Sequence, residues 1–120
     1  MLATILKEHK ILLRRNAWAF LFVKGVNMFK NQPYLTKGVN ERIPLLTQLF
    51  LWNLIENMSV EKDYAQFFYL SEENGRQKIV HKQEQPEYCK EYLLDTKPVT
   101  ETVFVIDDGT HTTMLLGEEY

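Results

Sequence analysis

Asp107, Asp108 and His111 form the first group of side chains in this sequence whose types could do chemistry. They bring two carboxylates and an imidazole into one short stretch, and these are ligand types that bind transition metals. A two-residue hairpin loop at Asp108-Gly109 would pair Asp107 with Thr110, which places Asp107 and His111 on opposite faces of the ribbon. The spacing therefore favours a turn-forming aspartate, and we predict no metal site.

A polar loop after a predicted strand forms the second group. Its residues His81, Glu84 and Tyr88 would suit a small hydrolase or ligand-binding enzyme if their side chains converged in one cleft. A hairpin loop at Asn74-Gly75 instead pairs His81 with Phe68 on the face that we expect to form the core. We predict a hydrogen-bonded core or border histidine, with the enzyme as the alternative. The candidate functional loop consists of His81, Gln83, Glu84, Pro86 and Tyr88.

The single cysteine, Cys89, excludes an internal disulfide and a cysteine-rich zinc site. So little cysteine is typical of a reducing compartment, and we predict a cytoplasmic protein. Cys89 has no histidine or aspartate in a recognisable nucleophile motif, and the isolated turn glycines do not make a phosphate-binding loop. The sequence therefore predicts no catalytic residue and no cofactor.

Charges are divided unevenly along the 120 residues, a length that suits one domain. Residues 1–27 hold five basic side chains and one acidic side chain, a balance of +4. Residues 28–120 hold the other nine basic and fifteen acidic side chains, a balance of −6. Because an acidic domain repels phosphates, nucleic acid is not a predicted partner. A basic patch on another protein suits this charge better.

Residues 1–27 have the pattern of an amphipathic helix with a basic face. Their longest apolar run, 17–23, is too short to cross a bilayer. Such a helix packs on its own domain or a twin subunit, or lies on a membrane surface. Codons for residues 24–27 can contain a purine-rich ribosome-binding sequence, so we hypothesise that the native protein starts at Met28. The predicted units are an N-terminal extension, 1–27, which would be an upstream translated segment, and a single domain, 28–120.

From residue 28 onward the pattern predicts one helix and then strands. A short strand, 34–37, ends at Gly38, and Pro44 begins a helix that runs to Met58 with apolar residues around nearly its whole circumference. Such a helix needs cover on more than one side. We predict an α+β fold in which this central apolar helix packs on a mainly antiparallel sheet of about five strands, preceded by the N-terminal amphipathic helix. The five strands are 65–71, 77–84, 88–94, 102–107 and 110–116.

Apolar side chains in excess of one core form a predicted interaction surface. Phe67, Tyr69 and Val80 share the hairpin face opposite Phe68 and lie among polar residues, which is typical of a protein-binding patch. The alternative for these side chains is burial under the 88–94 segment or the first helix. The apolar helix adds a second part to the surface. The candidate interaction surface consists of Leu51, Trp52, Ile55, Phe67, Tyr69 and Val80.

Six segments of the sequence, in order, resemble domain of unknown function 960, a family of small proteins of Gram-positive bacteria and their phages. The resemblance covers nearly all of residues 28–120 but not 1–27, and Gly117 stands where alanine is expected. It implies a compact α+β domain in a cytoplasmic bacterial or phage setting, and it brings no established activity or cofactor. The segments are 34–44 (YLTKGVNERIP), 51–52 (LW), 63–64 (DY), 80–88 (VHKQEQPEY), 103–109 (VFVIDDG) and 113–120 (TMLLGEEY).

Excess apolar surface without a reaction motif predicts a non-catalytic protein-interaction module. Its partner would be another protein or a second copy in a homodimer, and any membrane contact would be made through residues 1–27. A phage setting also suggests an accessory protein or a host-defence inhibitor, such as an anti-CRISPR protein that acts by binding. The enzyme centred on His81, Glu84 and Tyr88 is the competing hypothesis.

Overall fold

The chain forms a mixed β-sheet with helices on one face in the computed structural model, which describes residues 10–12 and 32–120. The strands are β1 (Lys10–Leu12), β2 (Gln32–Thr36), β3 (Ala65–Glu73), β4 (Arg76–Gln83), β5 (Tyr88–Leu94), β6 (Glu101–Asp107) and β7 (His111–Leu116). The helices are α1 (Lys37–Arg42) and α2 (Leu45–Glu56), and a 3₁₀ turn spans Gly117–Glu119. Neither α1 nor α2 has the length and apolar character that a membrane span requires.

The strand order explains why the helices lie between β2 and β3. Across the sheet the order is β1-β2-β7-β6-β3-β4-β5, and β2 pairs with β7 in parallel while the other neighbours are antiparallel. Since β7 is antiparallel to β6, and β6 to β3, strands β2 and β3 run in the same direction with two strands between them. Strands in that relation need a crossover connection. The segment that contains α1 and α2 provides it.

The predicted fold class is wrong in its sheet and in its N-terminal helix. From residue 32 onward the sheet has six strands and is mixed, whereas the sequence pattern predicts about five mainly antiparallel strands. Lys10–Leu12 is a strand that pairs with β2, at a place where the pattern predicts a helix. This pairing satisfies backbone groups along the edge of β2. The rest of the predicted N-terminal helix and the hypothetical start at Met28 lie outside the described residues.

The helix predicted from Pro44 to Met58 corresponds to α2, Leu45–Glu56, and α1 is an additional helix that the pattern does not predict. The α1 helix ends at Arg42, because Ile43 has the extended backbone (φ −103°, ψ 119°) that a residue before proline prefers. Pro44 then serves as the N-cap of α2. Gly38 does not end the preceding strand, since β2 stops at Thr36 and Gly38 lies inside α1.

The first hairpin confirms its predicted register. Asn74 and Gly75 have φ values of 53° and 78°, which are the positive values that a two-residue type I′ loop requires. Phe68 lies opposite His81 in the β3–β4 ladder, as the loop position predicts. The turn dipeptide alone was therefore sufficient to place both side chains on one face of the sheet.

The second hairpin differs from its predicted register by two residues. Asp107 pairs with Thr112 rather than with Thr110, and residues 108–110 form the loop. The Asp108 carboxylate accepts hydrogen bonds from the backbone N–H groups of Thr110 at 3.0 Å and His111 at 2.8 Å. Partial burial raises the pKa of Asp108, but these hydrogen bonds outweigh it and hold the pKa below its ordinary value. The aspartate side chain thus closes a longer turn than the dipeptide suggests.

The α2 helix is covered largely by its own chain. Phe50 meets Tyr92 of β5 edge to face, with 5.9 Å between ring centroids. Among the described residues of this helix, Leu46 is the large apolar side chain that stays exposed, at 59%. A single copy of the chain therefore buries most of this helix, and the sheet, which is one of its predicted covers, packs against it. The side chains without exposed surface, packed on the inner face of the sheet, are Leu51, Trp52 and Ile55.

Glu119 ties the C-terminal turn to the start of α1. Its carboxylate accepts hydrogen bonds from the Thr36 hydroxyl, from the Gly38 N–H at 3.1 Å and from the Leu116 N–H at 2.8 Å. Thr36 also caps α1 by accepting a hydrogen bond from the Val39 N–H. A Cβ added at Gly38 would lie 2.6 Å from Glu119 Oε2 and 2.8 Å from Leu116 Cδ1. The hydrogen bonds between Glu119 and the start of α1 therefore require glycine at position 38.

We predict that Gly38→Ala lowers the free energy of unfolding by about 1–3 kcal/mol, the usual range for overpacking. The new methyl group must displace the Glu119 carboxylate from its hydrogen bonds or push the buried Leu116 side chain. Urea unfolding measures the loss. Gly117→Ala is the control, because its Cβ would meet Thr102 at 3.2 Å and no carboxylate. A Gly38→Ala protein as stable as the wild type would contradict the described contact.

Candidate functional site

A chain of hydrogen-bonded side chains lies buried where β3 and β4 meet the loop after β4, with Gln83 at its centre. Gln83 Oε1 accepts hydrogen bonds from the Asp63 N–H at 2.7 Å and from Gln66 Nε2 at 2.6 Å. Gln83 Nε2 donates to the carbonyl oxygens of Glu61 at 2.9 Å and Pro86 at 2.8 Å. Because two carbonyls require the amide nitrogen and one N–H requires the oxygen, the backbone sets the orientation of this amide.

His81 lies at the end of this chain, and the amides determine its tautomer. Gln66 uses its Nε2 to donate to Gln83, so its Oε1 is the atom that faces His81 Nε2, at 2.7 Å. The His81 Nε2 must therefore carry the proton, which leaves Nδ1 as an acceptor. Within the described residues, this buried Nδ1 has no hydrogen-bond partner. Protonation would thus place a new N–H where the described structure offers it no acceptor.

Burial keeps His81 in its neutral form. The side chain has no exposed surface, and its ring stacks on Phe68 at 4.4 Å and meets Tyr88 edge to face at 5.0 Å between centroids. This burial lowers the pKa of His81 to about 4, because the charged ring would lose its hydration. Burial also raises the pKa of Tyr88 to about 12. The predicted hydrogen-bonded core histidine is confirmed.

The candidate functional loop is divided between the core and the surface. His81, Gln83 and Tyr88 lie together in the core, whereas Glu84 and Pro86 are exposed at the turn after β4. The Gln85–Pro86 peptide bond is cis. In the part of the chain that the structure describes, no three His, Cys, Asp or Glu side chains converge to hold a metal ion. The loop residues thus build a polar core rather than an open catalytic cleft.

The outer face of the sheet, opposite the helices, carries a row of aromatic rings. Phe67 on β3 pairs with Phe104 on β6, and their rings meet edge to face at 5.2 Å between centroids. Phe104 also meets the Tyr120 ring at 5.7 Å. Tyr69, two residues beyond Phe67 on the same strand, is 42% exposed, and Tyr120 is 59% exposed. We call Phe67, Tyr69, Phe104 and Tyr120 the outer aromatic surface.

The predicted interaction surface is divided by the sheet into two parts. Phe67, Tyr69 and Val80 lie on the outer face, with Tyr69 exposed and the other two half-buried. Lys82 lies beside Tyr69, with its Nζ 5.8 Å from the ring centroid. The helix part of the predicted surface is wrong, because its side chains are sealed in the core and present nothing to a partner. Those side chains are Leu51, Trp52 and Ile55.

Phe104 and Tyr120 are the members of this surface that sequence reasoning missed. Side chains alternate along β6, so Phe104 lies on the face opposite Val103 and Val105. Its outward position could therefore have been predicted from the strand pattern. Its place beside Phe67 depends on the pairing of β3 with β6, which no hairpin turn specifies. The position of Tyr120 depends on the C-terminal turn.

An open cleft of about 540 Å³ adjoins the outer aromatic surface. Tyr69 and Phe104 contribute rings to its lining, and Glu101 and Glu118 contribute carboxylates. Among the described residues that line it, none is a histidine or a cysteine. The chemistry of the cleft is therefore that of a contact surface with aromatic and acidic groups. The other lining residues are Leu70, Thr100, Thr102 and Gly117.

These features define a class of protein, a small mixed-sheet domain. One face of its sheet carries a sealed polar network, and the other carries an aromatic surface beside a buried cluster of Ala65, Ile106 and Leu115. A family model described as a Staphylococcal protein of unknown function (DUF960) matches residues 32–119. The chain belongs to this family, and the predicted family membership is confirmed. No curated protein matches the chain.

A solved structure shares the fold. It is a crystal structure of a protein of unknown function from Enterococcus faecalis, with a TM-score of 0.70 and 23% sequence identity. The match covers 76% of this chain and 92% of that chain. At this level of identity the similarity shows the fold alone.

We predict that titration of His81 removes about 2 kcal/mol of stability between pH ~7.5 and pH ~5. The pKa of His81 is about 4 in the folded protein, whereas the pKa of an unfolded histidine is about 6.5. Between those values the unfolded chain binds more protons than the folded chain, so stability falls as the pH falls. Urea unfolding across this pH range measures the change.

The matched variant for this measurement is His81→Gln, which can still donate a hydrogen bond to Gln66 but cannot titrate. Its stability should depend less on pH than that of the wild type, by about 2 kcal/mol over the same range. His111→Gln is the control, because His111 is half-exposed on the other face of the sheet. Identical pH profiles for the wild type and His81→Gln would contradict the neutral, buried state of His81.

We also predict that Gln83→Met lowers the free energy of unfolding by about 2–3 kcal/mol. The methionine side chain has a similar length but leaves the Asp63 N–H and the Glu61 and Pro86 carbonyls without their partner. Thermal or chemical unfolding measures the loss. Gln85→Met, at an exposed position in the following turn, is the control. If both substitutions reduce stability equally, Gln83 does not hold the network.

Proposed function

We propose that this chain is a non-catalytic protein-interaction module of bacteria that binds a partner protein through the outer aromatic surface. The observation that carries the proposal is the row of edge-to-face rings, Phe67, Phe104 and Tyr120, with the exposed Tyr69 beside it. Aromatic rings bury large areas at little cost in side-chain entropy and are enriched in protein interfaces.

The strands that carry the rings support a binding role. Phe67 and Phe104 lie on two hydrogen-bonded strands inside the sheet, so their positions are set before any partner arrives. A surface that is already ordered loses less conformational entropy on binding. Lys82 on the neighbouring strand β4 provides a charged group beside the Tyr69 ring, as a polar rim does around an interface core.

The polar network on the inner face favours binding over catalysis. The competing hypothesis needs His81 to reach a substrate, but its side chain has no exposed surface and its Nε2 donates to Gln66. Glu84, which would act with it, is exposed on the loop beyond the core. The buried histidine therefore supports the folded state, and the proposal assigns no catalytic residue.

A different protein suits the surface better than a second copy. The full chain has a net charge of −2, but residues 28–120, which carry this surface, have a balance of −6, and this acidic part of the chain favours a basic partner over a second copy. We place this activity in the cytoplasm of a bacterium. A phage accessory protein or a host-defence inhibitor that acts by binding would be one form of it.

Photo-crosslinking from the outer aromatic surface tests the proposal. The full chain carries p-benzoylphenylalanine in place of Tyr69 and is expressed in staphylococcal cells, the host that the family description names. The expected result is a crosslinked adduct between the chain and a single partner protein, and we expect this partner to have a higher molecular mass than the chain. Tyr64 is the matched control position, because it is 63% exposed and precedes β3 without joining the row of rings.

The identity of the adduct decides between the outcomes. An adduct that forms from Tyr69, fails to form from Tyr64 and is lost in the Phe104→Ser variant supports the proposal. A Phe104→Ser chain must first show a cooperative unfolding transition, so that loss of the adduct reports the surface. An adduct of twice the mass of the chain would replace the partner with a homodimer. Absence of any adduct from Tyr69 would overturn the proposal.

A further inference from the structure

We infer that the cleft beside Tyr69 and Phe104 receives an arginine side chain of the partner protein. This inference rests on the proposed function and adds the chemistry of the partner to it. The lining combines two aromatic rings with the carboxylates of Glu101 and Glu118. A guanidinium is attracted to both, because it stacks on ring faces and forms charge-assisted hydrogen bonds with carboxylates.

Arg42 of α1 shows that the two carboxylates accept a guanidinium. Its Nη1 lies 2.9 Å from Glu118 Oε1 and 3.6 Å from Glu101 Oε2. The hydrogen bond and the charge of Glu118 raise the pKa of Arg42 above its ordinary value. Two carboxylates share this one guanidinium, so the group keeps a net negative charge. The Arg42 and Glu118 side chains are 49% and 60% exposed, so a partner can reach the contact and replace it.

The other candidates for the cleft fit less well. An anionic group would face the net negative charge at Glu101 and Glu118. A purely apolar group would remove water from the two carboxylates without supplying a hydrogen bond, which is unfavourable. The full chain has a net charge of −2, and the balance of −6 over residues 28–120 makes this part of it attractive to a basic protein surface. Among these occupants, a cationic side chain is the one that satisfies both the rings and the acids.

Two capped tripeptides test the inference by nuclear magnetic resonance on the full chain. The probe is acetyl-Leu-Arg-Leu-amide, and its twin carries citrulline, which has nearly the shape of arginine without the charge. We expect saturable shifts at Tyr69, Thr102 and Gly117 with the arginine peptide, and about fivefold weaker binding of the citrulline peptide. Equal binding of the two peptides, or shifts confined to other parts of the chain, overturns the inference.

Substitutions at the two carboxylates and at Arg42 distinguish recognition of the guanidinium charge from nonspecific binding of the peptide. The double variant Glu101→Gln with Glu118→Gln should lose the preference for arginine over citrulline. Arg42→Met frees both carboxylates, so it should strengthen binding of the arginine peptide about two- to fivefold. Weaker binding to Arg42→Met contradicts the inference. Exposed ion pairs contribute little to stability, so these variants should keep the fold and its amide spectrum.

The control is a second carboxylate pair on the outer face of the sheet. Glu73 and Glu91 both lie near Lys78 Nζ, at 3.4 Å and 3.5 Å, as Glu101 and Glu118 both lie near Arg42. The double variant Glu73→Gln with Glu91→Gln should bind the arginine peptide as the wild type does. Equal losses in the two double variants would show that net charge alone attracts the peptide, which overturns the inference.

Failure of the inference can be distinguished from failure of the proposed function. Crosslinked adducts that persist from Tyr69 in the Glu101→Gln and Glu118→Gln variant, together with equal binding of the two peptides by the wild type, keep the protein partner and remove the arginine. Absence of adducts from Tyr69, with arginine preference intact, removes the protein partner and leaves a guanidinium site.

Discussion

The orientation of the buried Gln83 amide is the constraint on which the inner half of the structure depends. Backbone groups of Glu61, Asp63 and Pro86 present two acceptors and one donor to it, so its oxygen and nitrogen cannot exchange places. Because Gln83 Oε1 accepts a hydrogen bond from Gln66 Nε2, the Gln66 Oε1 faces His81. This contact determines which ring nitrogen of His81 carries the proton. One loop conformation thereby determines the tautomer of a histidine inside the sheet.

Other buried glutamines join irregular backbone to the core in the same way. Gln48 donates to the Ile43 carbonyl at 2.7 Å, at the point where Pro44 separates the two helices. Gln77 accepts a hydrogen bond from the Val99 N–H at 2.7 Å and donates to the Val99 carbonyl at 3.1 Å, which holds the connection between β5 and β6. A buried amide without such partners would destabilise the fold. The loops are therefore held by hydrogen bonds as much as by apolar contact.

Local pairing could be predicted from the sequence, whereas long-range pairing could not. The Asn74-Gly75 dipeptide requires one loop geometry, so the β3–β4 register followed from it. The parallel pair of β2 with β7 joins residues separated by most of the chain, and no turn specifies it. The second hairpin was misjudged because the Asp108 side chain, rather than a glycine dipeptide, closes the loop.

In the candidate site, too, features set within one strand could be predicted from the sequence, whereas features set by the pairing of distant strands could not. Strand alternation placed Phe67 and Tyr69 outward, but the neighbour of Phe67 depends on the β3–β6 pair. Counting apolar residues on α2 overestimated its exposed surface, since the count does not include how much of the helix the rest of the chain buries. The sequence predicted a hydrogen-bonded histidine at His81, but glutamines are polar in any sequence pattern, so the burial of its partners Gln66 and Gln83 could not be predicted.

The two faces of the sheet differ in how freely they can form new contacts. On the inner face, a ligand would have to replace hydrogen bonds that Gln83 and Gln66 already make with their neighbours. On the outer face, the cleft depends on the C-terminal turn, because the same turn that carries Glu118 is held to Thr36 and Gly38 through Glu119. The start of α1 therefore helps to position the turn that lines the cleft. Contacts can form there without breaking any of the hydrogen bonds that orient His81.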